Sequence, residues 1–160
     1  MPANTVAPTS ILQTYDGRLF GRSVANDIVP APGRPFNMNC VVAKGASSGI
    51  ALVTMQVVDR DGVAVAGVYN FDWWLSDDAT YGAGLTATTA SGAVGAGAEG
   101  TDLVVYVAKK ATRSQTNSSG QYQLSITDTA KTAFNVVVDF KMGFHHPTQV
   151  LATLAAGDYD

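Results

Sequence analysis

The sequence predicts an all-β protein, an antiparallel β-sandwich preceded by an extended N-terminal arm. From about residue 50, several short segments alternate apolar and polar residues with a period of two, which is typical of half-buried strands. Turn residues separate these segments and no amphipathic helical pattern lies between them, so the strands are expected to pair in two packed sheets. The 160 residues, 46% of them apolar, fit one domain with a core of its own.

The first 45 residues differ in composition from the rest. Five of the six prolines lie there, and proline disfavours long helices and central strands because it lacks the N–H and fixes φ. The segment is nevertheless too apolar for a solvated tail, since it contains Ile11, Leu12, Tyr15, Leu19, Phe20, Ile28, Val29 and Phe36. We therefore predict an extended arm over residues 1–45, lying on its own domain or on a neighbour, and a sandwich domain over residues 46–160.

The first two predicted strands flank a tight turn. Apolar and polar residues alternate over residues 53–58 and again over 69–75. The sequence Asp59-Arg60-Asp61-Gly62 after the first strand ends in Asp-Gly, a common turn dipeptide because both residues tolerate positive φ. In the second strand, Trp73 lies on the apolar face and is predicted to be core. Trp74 lies on the opposite, polar face and is a candidate for partner contact, since exposed aromatic side chains anchor interfaces.

Four further segments complete the prediction of six or seven strands. Residues 103–108 are apolar on both faces, as in a buried strand. Residues 122–126 alternate most regularly, and 134–140 and 150–154 follow as the last strands. Residues 77–100, rich in Ala, Gly, Thr and Ser, form either a long loop or weak edge strands. Loops this long are usually functional unless disordered, so this segment is a candidate contact surface.

No cofactor is predicted from the glycine-rich stretch. Residues 95–100 match G-x-G-x-x-G, but a dinucleotide site needs a helix directly after the motif to receive the phosphate. The residues that follow are β-branched and predict a strand instead.

Metal binding and catalysis are also disfavoured. Asp59 and Asp61 resemble the start of a calcium loop, but the third oxygen ligand and the final Glu are missing. His145 and His146 are adjacent and would point to opposite faces of a strand, whereas metal ligands must converge. Cys40 is the single cysteine, so an intramolecular disulfide is impossible. No G-x-S-x-G motif occurs, and we expect the protein not to be an enzyme.

Charge and hydropathy bear on partners. Charged residues make up 14% of the chain, against about a quarter in typical domains, and the net charge is −3 without a basic block. Because no basic block is present, we expect no nucleic-acid partner. Because charged residues are few, we expect a surface that is either partly covered by another protein or solvated by neutral polar residues. No apolar run approaches the ~20 residues of a membrane span. The N-terminus lacks a signal-peptide pattern, so assembly in the cytoplasm is expected.

Residues 57–76 and 116–127 resemble the bacterial Ig-like domains of the invasin type, in particular those carried by tailed-phage virion proteins. The shared pattern is a strand, Asp-x-x-Gly, a Val-x-Gly-Val step, a strand ending in Ser-Asp, and a Thr-x-x-x-Gly turn before an alternating strand. The similarity covers about residues 50–145. Val65 stands where the family often has proline, and Asn117 where its turn usually has Asp.

The resemblance implies an Ig-like sandwich with a role in capsid decoration, head fibres or tail and adsorption structures. From it we expect a structural virion protein that is assembled in the host cytoplasm and binds the major capsid protein or another virion protein. It would act as a homo-oligomeric decoration protein, a trimer being one arrangement. The expected contact residues are Tyr15, Leu19, Phe20, Phe36 and Trp74. The alternative is a recognition module of a phage tail or fibre that binds carbohydrate or protein on the host surface. A third reading, a periplasmic-type subunit whose leader was removed, is disfavoured by the initial Met.

Overall fold

Nine strands form two antiparallel sheets that pack face to face in the computed structural model, which describes residues 33–140 and 148–160. The four-stranded sheet has, in order, β1 (Asn37–Lys44), β2 (Ile50–Val58), β7 (Gln121–Thr127) and β4 (Val94–Ala96). The five-stranded sheet has β5 (Thr101–Val107), β6 (Ala111–Gln115), β3 (Asn70–Ser76), β8 (Asn135–Asp139) and β9 (Thr148–Thr153). Apart from one 3-10 turn, Ala156–Asp158, the described residues contain no helix. The prediction of an all-β antiparallel sandwich is confirmed.

The period of two explains how the core is built. In β2 and β7, every second side chain is fully buried, and the register pairs Val53 with Leu124 and Met55 with Tyr122. Directly opposed residues of antiparallel strands share a face, so the two strands present one continuous apolar surface. The facing sheet contributes alternate residues of β3 and β8, with Phe71 in edge-to-face contact with Tyr122 at 5.1 Å between ring centroids.

A short chain of hydrogen bonds leads from this core to Asp102 of the edge strand β5. The indole N–H of Trp73 donates to Ser114 Oγ at 2.9 Å, and the Ser114 hydroxyl donates to Asp102 Oδ1 at 2.6 Å. The Tyr122 hydroxyl donates to the same carboxylate oxygen at 2.7 Å. Burial raises the pKa of Tyr122 far above its ordinary value, so this hydroxyl stays a donor. The predicted core position of Trp73 is confirmed, since its side chain is 1% exposed.

The sandwich begins earlier in the chain than predicted. Residues 37–44, within the segment assigned to the arm, form β1, which pairs along its whole length with β2. Met38 of this strand is buried in the core. The sandwich therefore starts at β1 and not at residue 46. The predicted boundary was too late because the apolar residues that follow the prolines were assigned to the arm. Residues 1–32 of the predicted arm lie outside the described residues.

The segment 103–108 was correctly predicted to be a strand but wrongly predicted to be buried. It forms β5 at the edge of the five-stranded sheet, and its apolar side chains are 40–59% exposed. Residues 77–100 contain one short edge strand, β4, and are otherwise irregular. Strands β1 and β6 were not predicted, because their sequences lack a regular apolar alternation.

The predicted turn after β2 is confirmed. Asp59 Oδ1 accepts hydrogen bonds from the backbone N–H groups of Asp61 and Val63, both at 2.9 Å, and Gly62 has φ of +80°. The other carboxylate oxygen accepts the N–H of Gly33 at 2.7 Å. The hydrogen bonds from Gly33 and Val63 hold the pKa of Asp59 below its usual value. The carboxylate thus serves the turn and fixes the chain where it enters the sandwich.

Gly120, in the turn before β7, provides a test of this architecture. Its φ is +78°, and an added Cβ would overlap the carbonyl oxygen of Val65. We expect Gly120→Ala to lower the free energy of unfolding by about 2–3 kcal/mol, because strain and overlap add. Gly62→Ala is the matched control, since its φ is +80° but nothing lies within 4 Å, and it should cost only about 1–2 kcal/mol. Urea denaturation measures both, and equal losses would contradict the proposed overlap.

Candidate functional site

Two adjacent aspartates at the end of β3 determine the shape of the loop that follows. Asp78 accepts backbone hydrogen bonds from Thr80, Tyr81 and Ala83 at 2.9, 3.1 and 3.2 Å. Asp77 accepts the N–H of Ala87 at 2.8 Å and also the Thr86 hydroxyl. These hydrogen bonds hold the pKa of both carboxyls below the usual range. The aspartates thus act as backbone acceptors that build successive turns.

Lysines of the β5–β6 turn fasten the same loop to the sandwich. Lys110 Nζ donates to the carbonyl oxygens of Thr86 and Ala87 at 2.8 and 3.0 Å, and Lys109 Nζ donates to that of Ala90 at 3.1 Å. The N–H of Thr86 also donates to the Leu75 carbonyl of β3 at 2.7 Å. A segment with the composition of a linker is therefore held on both sides by hydrogen bonds.

The loop residues 77–90, which we call the β3–β4 loop, and the outer face of the five-stranded sheet enclose a groove of about 520 Å³. Trp74 lines it, half-buried, with its indole N–H donating to the Gly82 carbonyl oxygen at 2.8 Å. Tyr81 and Leu85 project from the loop, 81% and 45% exposed. The groove extends across the sheet from Tyr106 of β5 to Thr148 of β9. We call this surface the aromatic groove.

An ion pair fixes the remaining aromatic wall of the groove. Arg113 donates through Nε and Nη2 to the two carboxylate oxygens of Asp72, at 2.9 and 3.2 Å. The Tyr106 hydroxyl donates to Asp72 Oδ1 at 3.1 Å, and the guanidinium carbon lies 5.9 Å from the centre of its ring. The hydrogen bonds and charge of Asp72 raise the pKa of Arg113. Tyr106 is held in one orientation although it is 51% exposed.

Of the two predicted contact residues that the structure describes, Trp74 lines the groove and Phe36 does not. Phe36 is half-buried just before β1, where its N–H donates to the Val58 carbonyl oxygen at 2.9 Å, and it does not line the groove. Tyr15, Leu19 and Phe20 lie outside the described residues, as do His145 and His146.

Sequence reasoning named residues 77–100 as a candidate contact surface without singling out Tyr81 or Leu85 in it, and it missed Tyr106. Tyr81 and Leu85 belong to a loop with no periodic signal, and Tyr106 belongs to the strand predicted to be buried. Asp72 and Arg113 carry opposite charges and lie on the neighbouring strands β3 and β6. This pair of charges was the signal in the sequence from which the position of Tyr106 could have been inferred.

Within 33–140 and 148–160, no three His, Cys, Asp or Glu side chains are grouped for a metal ion. Residues 95–100 lead from β4 into β5, so the glycine-rich motif precedes a strand, as expected. The Cys40 thiol donates to the Leu151 carbonyl oxygen at 3.1 Å, and burial raises its pKa. No helix in the described part is long and apolar enough to span a membrane.

Comparisons with known proteins identify no relative. No family model, curated protein or solved structure matches this chain.

Proposed function

We propose that this chain is a structural protein of a tailed-phage virion that binds the capsid surface as a decoration protein and stabilises the head. The observation that carries the proposal is the aromatic groove, where exposed Tyr81 and Leu85 project from a loop fixed by hydrogen bonds. The major capsid protein is the proposed partner.

The physical properties of the groove suit binding to a protein. Tyrosine and tryptophan are enriched at protein interfaces. Their rings also lose little conformational entropy on binding when they are already held in place, as Tyr106 and Trp74 are. The chain has only 14% charged residues, so covering much of its surface removes few charges from water.

The phage assignment rests on the resemblance of residues 57–76 and 116–127 to virion-borne Ig-like domains. In the structure these residues form the end of β2, the connection to β3, β3 itself, and β7 with the turn that precedes it. These residues belong to the scaffold of the sandwich. The resemblance therefore supports the type of protein, and the groove supports the proposed contact with a partner protein. The two arguments are independent.

Binding to phage heads tests the proposal. The purified protein is mixed with heads that lack it, the heads are sedimented, and bound copies are counted against the major capsid protein. We expect shell-like stoichiometry for the wild type and roughly 30-fold weaker binding for Tyr81→Ala, as for a central interface tyrosine. Val63→Ala, at a 61% exposed position on the turn after β2, should bind like the wild type. A few copies per particle, or equal binding of both variants, would exclude this role for the groove.

A recognition module of a tail or fibre remains the second candidate, because carboxylates accompany the aromatic rings. Asp72 and Asp139 line the groove together with Trp74 and Tyr81, and stacking rings beside hydrogen-bonding carboxylates are suited to sugars. Under this alternative, the protein binds host-surface glycans or cells, Tyr81→Ala abolishes that binding, and virions contain only a few copies. The copy number per virion therefore separates the two candidates.

A further inference from the structure

Strand β5 is an edge strand with an apolar outer side. In the described part of the chain it pairs with β6 alone. Five consecutive apolar side chains are 40–59% exposed, namely Leu103, Val104, Val105, Tyr106 and Val107. Soluble proteins usually shield such an edge with charges, proline or a very short strand. β5 has seven residues and no proline, and its one charged side chain, Asp102, accepts hydrogen bonds from Ser114 and Tyr122.

The other edges of the described sandwich are better protected. β4 has only three residues. β1 and β9 lie against each other on the opposite side of the sandwich, where Gln149 Nε2 donates to the Met38 carbonyl oxygen at 2.8 Å. β5 has two bulges in its pairing with β6, and bulges increase the twist of a strand. A strand that pairs with β5 must therefore share this twist, and a second copy of β5 does.

The two ends of β5 carry opposite charges. Glu99 and Asp102 lie at its start. Lys109 and Lys110 lie in the turn directly after it. The hydrogen-bond partners of Glu99 and of both lysines are neutral, namely the Asn117 amide and backbone carbonyl oxygens, so these bonds leave the charges in place. An antiparallel pair of β5 strands brings the acidic end of each beside the basic end of the other, whereas a parallel pair brings like charges together. The charges therefore favour an antiparallel partner of the same sequence.

Full overlap of two β5 strands determines the register of such a pair. The strand Thr101–Val107 has Val104 at its centre, so a two-fold axis through this centre sets Val104 of one copy opposite Val104 of the other. By the same count, Asp102 faces Tyr106 of the second copy. The two Asp102 side chains are then four residues apart along the strand direction, or about 13 Å, which avoids a contact between like charges.

The exposed surface of β5 has the size of a small interface. Four aliphatic side chains and one tyrosine, each about half exposed, give roughly 400 Å² of apolar surface per copy, within the range of the largest patch on a typical monomer. With the backbone included, two copies bury on the order of 1,000 Å², which is at the lower end for specific interfaces. A contact of this size is expected to dissociate on dilution.

We propose that two copies of this chain pair edge to edge through β5, antiparallel about Val104, and form a symmetric dimer. The two five-stranded sheets then join into one sheet, with main-chain hydrogen bonds and the apolar side chains of both copies at the junction. Each copy uses the same strand, so the contact is isologous and closes at two copies.

The symmetry of this dimer determines where its two aromatic grooves lie. The two-fold axis is perpendicular to the joined sheet, and each groove lies on the outer face of that sheet, so both grooves face the same side. A surface with repeated binding sites can therefore engage both grooves at once, which raises the apparent affinity without a new contact. This inference goes beyond the proposed function, because the pairing of β5 does not depend on what the groove binds.

Light scattering of the full chain at concentrations up to about 1 mM tests the dimer. We expect the wild type to form a dimer that dissociates on dilution. Val104→Lys and Val104→Glu should each remain a single chain, because two like charges then face each other across the two-fold axis. Val41→Lys is the matched control, since Val41 is a 69% exposed valine on the edge strand β1, and it should dimerise like the wild type.

Mixing the two charged variants identifies the pairing itself. The lysine of one variant then faces the glutamate of the other, so the mixture should contain a mixed dimer although each variant alone is a single chain. A mixed dimer also shows that both variants are folded. Hydrogen exchange of the wild type, which needs no variant, should show amides of residues 101–107 that are more protected in the dimer than in the dilute single chain.

Four results would overturn the proposal. The first is a wild type that stays a single chain at every concentration or assembles in an odd number of copies. The second is dimerisation of Val104→Lys alone. The third is the absence of a mixed dimer when circular dichroism shows both variants to be folded. The fourth is equal exchange of the β5 amides in dilute and concentrated wild type.

Discussion

Replacing Trp73 with alanine is expected to lower the free energy of unfolding by about 3–5 kcal/mol, which is typical for a large aromatic side chain in a core. Trp73 is 1% exposed and its indole N–H donates to Ser114. Its removal leaves a cavity between the sheets and an incomplete buried hydrogen-bond chain. Because domain stabilities are usually about 5–15 kcal/mol, this variant should be near the limit of folding.

The adjacent Trp74→Ala is the matched control. Trp74 is half-buried on the outer face, and its indole N–H bonds to Gly82, so we expect a loss of only about 1–2 kcal/mol from one hydrogen bond and partial burial. Urea denaturation followed by circular dichroism measures both variants. Similar losses, or a larger loss at Trp74, would contradict the assignment of the two tryptophans to opposite faces.

The second large effect is expected at Asp128, directly after β7. Its buried carboxylate accepts backbone hydrogen bonds from Ser91 at 3.1 Å and Thr132 at 2.8 Å. Burial raises the pKa of Asp128, but the hydrogen bonds from Thr132 and Ser91 outweigh it and hold the pKa well below its ordinary value. We expect Asp128→Asn to lower the free energy of unfolding at pH 7 by about 2–3 kcal/mol, as for hydrogen bonds to a charged group.

The same carboxylate predicts a pH dependence. Because its pKa is lower in the folded than in the unfolded state, its stabilisation is complete above the unfolded pKa, about 3.9, and is lost as the pH falls below that value. Urea denaturation at pH 7, 5 and 3 should therefore show a decline in wild-type stability between pH 5 and 3 that is smaller in Asp128→Asn. Val63→Ala, which removes no titratable group at an exposed turn position, is the control and should leave the decline unchanged. An equally steep decline in Asp128→Asn would contradict this role for the carboxylate.

The strands that could be predicted are those buried on one face. β2, β3 and β7 alternate because one side faces the core and the other faces solvent or the loop. β6 gave no signal because its inward residues include Thr112 and Ser114, polar groups that are buried in place of apolar ones. β5 was assigned the wrong environment because an apolar strand is equally compatible with the interior and with an edge, and only the position in the sheet decides between them.

Of the candidate site, the sequence predicted Trp74 from the strand period and the segment 77–100 from its length and composition, but not the individual residues of that segment. Alternation in β3 places Trp74 on the outer face, opposite Trp73. The positions of Tyr81 and Leu85 depend instead on hydrogen bonds made by Asp77 and Asp78 within the β3–β4 loop, and such contacts have no period in the sequence. Tyr106 depends on a bond to Asp72 from a strand that is distant in the sequence.

The pairing of β2 with β7 has a consequence for the time course of folding. This register joins Ile50 to Thr127 and Met55 to Tyr122, so the central ladder of the four-stranded sheet closes a loop of about seventy residues. Such non-local pairings slow folding, since the entropy of loop closure is lost before the contacts form. During synthesis, the apolar face of β2 stays without its neighbour until β7 has been made. The four-stranded sheet is therefore completed only after residue 127 has been made.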